Sequence, residues 1–92
     1  MHFGYKSYVI RLYGIKSLKE KRSISKRLQN DLRKSFNASV VESGKHDSKD
    51  WLEISVGMLA NSLGELESLF QSVEKRVTGN GFDVTKIDTE IW

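Results

Sequence analysis

Two serine–glutamate pairs, Ser17/Glu20 and Ser62/Glu65, each open an amphipathic stretch. This is the capping-box pattern, in which the serine hydroxyl accepts from the N3 amide and the glutamate reaches back to the cap's own amide. After Ser17 the spacing predicts a helix from Leu18 to Lys34 or Ser35. Ile24, Leu28 and Leu32 recur every fourth residue, Leu18 flanks that line, and Phe36 extends it past the helix end. Asn37 suits the terminating position, which favours a left-handed residue. After Ser62, Leu63, Leu66, Phe70, Val73 and Val77 follow at helical spacing, with Leu69 at the edge of the stripe. Gly79-Asn80-Gly81 then supplies residues able to end a helix and turn the chain. In a chain of 92 residues, two such helices leave room only for short elements around them.

Those elements read as strands. Phe3 to Tyr13 is rich in Tyr, Val, Ile and Leu, with Tyr8, Ile10 and Leu12 on one face and Tyr5, Val9, Arg11 and Tyr13 on the other. Gly14 breaks the run. Asn37 to Glu42, with Ala38, Val40 and Val41, is a second strand, and Ser43 to Asp50 a polar loop. Trp51 to Leu59 alternates cleanly, setting Leu52, Ile54, Val56 and Met58 against Trp51, Glu53, Ser55 and Gly57. Phe82 to Trp92 is the last strand, where Ile87, Thr89 and Ile91 alternate with Asp88 and Glu90. The order is β-α-β-β-α-β. Two interleaved right-handed β-α-β units place both helices on one face of a four-stranded antiparallel sheet. A single ferredoxin-like α+β domain over residues 1–92 is therefore expected, with sheet order 4-1-3-2.

Composition removes several function classes. Cysteine and proline are both absent, which excludes disulfide scaffolds, thiolate metal sites, cysteine nucleophiles and Pro-rich ligand segments. No apolar stretch approaches the ~20 residues that span a bilayer, and no secretory leader pattern is present, so a cytoplasmic location off the membrane is expected. The formal net charge of +3 hides an asymmetry: residues 1–46 carry +8 and residues 47–92 carry −5. Eight of the fifteen Lys and Arg residues lie between Lys16 and Lys34.

That cluster is the strongest chemical signal in the chain. Lys19, Lys21, Arg22, Lys26, Arg27, Arg33 and Lys34 all belong to the first expected helix. Lys19, Arg22, Lys26 and Arg33 share one solvent-facing stripe, and Arg27 and Lys34 the opposite flank. A charge run of this kind is in many proteins only a solvated helix face. Lys19, Lys21 and Arg22 nonetheless occupy the first turns, where the macrodipole is already positive and each cation costs about 0.3–1 kcal/mol unless something neutralises it. Cations and free amides at a helix start form an anion site, and phosphate is the commonest biological anion. Glu20 offsets part of the charge. Lys21 lies close to the apolar line, so either its stem covers the core edge or its ammonium is held at the helix start.

Other candidates carry less. Tyr5, Arg11, Tyr13 and Trp51 are expected on the uncovered sheet face, a surface that can stack on bases or self-associate. Strand three lacks an aromatic base-stacking pattern, and Glu53 would repel phosphate, so self-association fits that face better. His46, Asp47 and Asp50 sit in a polar loop without the fixed geometry a metal site needs. Acylphosphatases share the expected fold, but their phosphate-cradling loop and arginine have no counterpart in Tyr13-Gly14-Ile15-Lys16-Ser17. Neither catalysis nor a cofactor is expected.

Ser17-Leu18-Lys19-Glu20-Lys21-Arg22, followed by Phe36-Asn37-Ala38-Ser39-Val40-Val41-Glu42, resembles the bacterial YlxP-like family. The Asp50-Trp51 step and the ending Ile87-Asp88-Thr89-Glu90-Ile91-Trp92 extend the likeness over nearly the whole chain. The SGKHDSKD loop is richer in lysine than the family pattern, and Ala60-Asn61-Ser62 replaces its serine–aspartate entry to the second helix. The resemblance implies a ferredoxin-like fold and company with the translation machinery, and it carries no catalytic residue. The expectation is a noncatalytic module that contacts phosphate of ribosomal RNA or the small ribosomal subunit through its basic first helix. The alternative is a homodimeric protein-interaction module using the open sheet face.

Overall fold

The computed structural model describes all of residues 1–92, and six elements follow one another in the expected order. They are β1 (His2–Arg11), α1 (Leu18–Phe36), β2 (Ser39–Gly44), β3 (Trp51–Ala60), α2 (Leu63–Gly79) and β4 (Asp83–Ile91). The sheet order is β2-β3-β1-β4 with every pair antiparallel, so the two longest strands are central. This is the ferredoxin-like arrangement.

Both helices start as their sequences dictate. Ser17 Oγ accepts from the Glu20 amide and Ser62 Oγ from the Glu65 amide, each at 3.1 Å. The reciprocal half of the first box falls one residue earlier than expected: Glu20 accepts from the amide of Lys16, at 3.0 Å, rather than from that of Ser17. Asn37 ends α1 in the left-handed region at φ 50°. Phe36 is the last helical residue instead of lying beyond the helix. At the end of α2, Gly79 is still helical, and only Gly81, at φ +89°, takes the left-handed conformation.

Period-two and period-3.6 patterns converge on one core. Tyr8, Ile10 and Leu12 of the β1 run meet Leu52, Ile54, Val56, Met58 and Ala60 of β3. Leu28 and Leu32 of α1 and Leu66, Phe70, Val73 and Val77 of α2 close over them. Ile24 is only half-buried, and Leu63, placed on the α2 stripe by its spacing, is exposed because it lies at the first turn beyond the sheet's cover. One ion pair is folded into the helix-covered face: Lys6 Nζ lies 3.0 Å from Glu74 Oε1 and 5.5 Å from the centre of the Phe70 ring.

Candidate nucleic-acid interface

The core residues of α1 fix what the rest of the helix presents. Leu28, Leu32, Ser25 and Lys21 are its buried residues, so the opposite side carries Lys19, Arg22 and Lys26 to the surface. Arg33 and Lys34 are exposed in the last turn, and Arg27 is exposed on the flank facing α2. The molecule has five ion pairs, and no exposed cation of α1 belongs to any of them.

Lys21 departs from the expected phosphate-binding set. Its side chain is 1% exposed. The ammonium donates to the Lys45 carbonyl and lies 3.7 Å from Glu42 Oε2. Glu42 accepts from Ser25 Oγ, which in turn accepts from Gln29 Nε2. A position so close to the core line leaves the stem no route to solvent. The folded chain instead supplies acceptors beneath the helix, as a buried charge requires. Lys21 therefore anchors α1 to β2 and the following turn, and makes no surface contact.

Arg33 keeps its exposure but spends its donors within the molecule. Its guanidinium reaches the Val40 carbonyl, Gln29 Oε1 and Asn30 Oδ1. The stripe with free donors is thus Lys19, Arg22 and Lys26, with Arg27 and Lys34 on the other flank. Arg27 also lines a groove with Ile24, Leu28, Asp31, Asn80 and Phe82. Asp31 does not neutralise it, because that carboxylate is held by Arg76 at 2.6 and 2.8 Å. The same contact keeps the Asp31 carboxyl below the usual carboxylate range.

The fold adds one cation that the helix periodicity did not point to. The Lys21 contact ties the β2–β3 turn to α1 through the Lys45 carbonyl, and the Lys45 side chain is exposed there. Lys45 itself is at φ 59°, a left-handed position for a residue with a side chain. His46, in the same turn, is tied back to β2, its Nε2 3.0 Å from the Glu42 carbonyl. In the sequence this placement shows only as the surplus lysines of SGKHDSKD.

The open sheet face is organised in three zones. At one end Trp92 stacks on Phe3 at 5.3 Å and approaches Tyr5 at 5.9 Å. At the other, the Arg11 guanidinium lies 5.4 Å from the Tyr13 ring and 5.2 Å from the Trp51 ring. Between them a hydroxyl chain runs from Ser7 through Ser55 and Ser43 to Glu53. Tyr5, Arg11 and Trp51 occupy the face that alternation gave them, and Phe3 and Trp92 join them because the chain end pairs with the start of β1. No helix of the molecule is long and apolar enough to cross a membrane.

Comparison with known proteins supports the architecture and leaves the chemistry open. No curated protein matches the chain. A VAO-type flavoprotein from Myceliophthora thermophila superposes with a TM-score of 0.57 at 8% identity, over 99% of this chain and 16% of that one. A de novo designed protein with ferredoxin fold superposes with a TM-score of 0.53 at 13% identity, over 99% of this chain and 84% of the design. At such identities the likeness is one of fold alone. Residues 3–91 match the family model described as "Protein of unknown function (DUF503)". With that match spanning almost every residue of the sandwich, the chain belongs to the DUF503 family.

Proposed function

We propose that the chain is a noncatalytic RNA-binding module of the ribosome or its maturation, contacting phosphate through the outer side of α1. The observation that carries this reading is the set of exposed α1 cations with neither a carboxylate partner nor, as Arg33 has, other acceptors within the molecule: Lys19, Arg22, Lys26, Arg27 and Lys34. Lys19 and Arg22 stand at the positive end of the helix dipole, where an anion stabilises and a cation does not. Lys45, in the turn that Lys21 ties to α1, is a further exposed cation. The resemblance to the YlxP-like family supports the ribosomal setting. Contacts of this type position a protein on RNA without reading bases, so specificity would come from RNA shape or from ribosomal proteins.

The test is binding to small-subunit ribosomal RNA across a salt series. If the Lys19, Arg22 and Lys26 stripe displaces one counterion per contact, log K should fall with log salt at a slope of about −2 to −3. Absence of binding at low salt, or an affinity indifferent to salt, would refute the reading.

A further inference from the structure

The two edges of the sheet are treated differently. On β2, side chains take the backbone carbonyls: Arg33 donates to Val40 and the His46 ring lies against Glu42. No side chain reaches the backbone of β4, and both of its faces are largely exposed, with Ile87 at 41% and Ile91 at 36%. A strand edge left in this state is a template for another strand.

The direction of its free groups follows from the ladder. Phe3 and Trp92 exchange both backbone hydrogen bonds, so Trp92 turns its amide and carbonyl toward β1. Antiparallel pairs alternate, so Glu90, Asp88 and Lys86 do likewise, while Ile91, Thr89 and Ile87 point theirs outward. We infer that β4 pairs antiparallel with β4 of a second copy about a two-fold axis between the two Ile87 residues, forming a continuous eight-stranded sheet.

Charge selects both the partner and the register. Outward groups must meet outward groups, which leaves few alignments. With Ile87 opposite Ile87, Lys86 stands opposite Asp88 on both sides of the axis and no like charges face each other. Sliding one step sets either Asp88 against Asp88 or Lys86 against Lys86. A further step toward the C-terminus sets Asp88 against Glu90 twice. Of these registers only the first is free of repulsion, and a centre at Thr85 is removed by the register shift opposite Val9/Ile10. Within one chain Lys86 Nζ and Asp88 Oδ2 are already 3.8 Å apart. Pairing closes the four side chains into a ring of alternating sign, and the exposed Ile87 side chains meet on the helix-covered face. The register shift opposite Val9/Ile10 leaves Thr85 out of the regular ladder, so the paired segment is short and the dimer concentration-dependent. β4 is the edge opposite β2, so the basic side of α1 stays open in the dimer.

Sedimentation equilibrium at low salt, from micromolar to near-millimolar protein, tests this. The wild-type chain should dimerise. Lys86→Asp and Asp88→Lys should each weaken the dimer about tenfold or more, because each creates two like-charge contacts. The double variant K86D/D88K should restore it. Hydrogen exchange at the Ile87 and Thr89 amides should slow as concentration rises, and this protection should vanish in the single variants. A monomer at every concentration, single variants that dimerise like the wild type, or a double variant that stays monomeric would each overturn the inference.

Discussion

The residue that most changes the reading of this chain is Lys21. Helical-wheel geometry placed it beside the apolar line, and that much was legible in the sequence. Its acceptors were not, since Glu42 and the Lys45 carbonyl arrive from β2 and the following turn and only the tertiary fold brings them under the helix. Lys21→Met keeps much of the stem but strands Glu42, which retains partial exposure. The expected loss is about 2 kcal/mol, below the ~3–5 for breaking a fully buried pair. Urea unfolding measures it, and the salt slope of RNA binding should not change. Tyr8 is the opposite case. It is fully buried in the core and its hydroxyl has no hydrogen-bond partner. Burial, together with the Glu74 charge, pushes its ionisation far above the ordinary tyrosine range. Tyr8→Phe removes an unsatisfied group and keeps the ring, so it should raise stability by roughly 1 kcal/mol in the same unfolding experiment.

Elements were legible where a periodic pattern met a stop signal. Both helices begin at the serines that the capping boxes mark, and α1 ends at the expected asparagine, because these signals act within a few residues. β3 is recognisable from alternation alone, since one of its faces is buried along its whole length. β2 is displaced from Asn37–Glu42 to Ser39–Gly44, since Asn37 serves as the helix cap and Lys21, Ser25 and His46 hold the strand's far end in place. β4 gave its pattern but not its exposure, which depends on α2 not reaching over the sheet edge. Arg22→Glu with Lys26→Glu replaces two free cations on one exposed stripe without touching the core. RNA affinity at low salt should fall by at least about tenfold and the salt slope should become shallower by about two. A binding isotherm repeated at two salt concentrations decides it.

Across the whole molecule, the division of charge between the two halves of the sequence becomes a division in space. α1 holds most of the unpaired cations, the β2–β3 turn mixes Lys45 and Lys49 with Asp47 and Asp50, and β4 and the first turn of α2 hold acids. The bridge between Asp31 and Arg76 joins the two helices across this divide, and it removes from α1 one of the two acids that could neutralise its basic surface. Its dependence on pH follows from the direction of the shift. Hydrogen bonds from Arg76 hold the folded carboxyl below its unfolded value, and the arginine, itself raised, stays charged throughout. The stabilisation is therefore fully present above the unfolded carboxylate value of about 4 and is lost as pH falls through the lowered folded value. Asp31→Asn should be less stable than the wild type at pH 7 and at pH 5 by the same margin. That margin should shrink steadily at lower pH, as urea unfolding at matched pH would record. Added salt should narrow it too, because the pair lies at the surface. At neutral pH the same substitution frees Arg76 and removes a negative charge from α1, so RNA affinity should rise while stability falls. A merely structural bridge would give the second effect without the first.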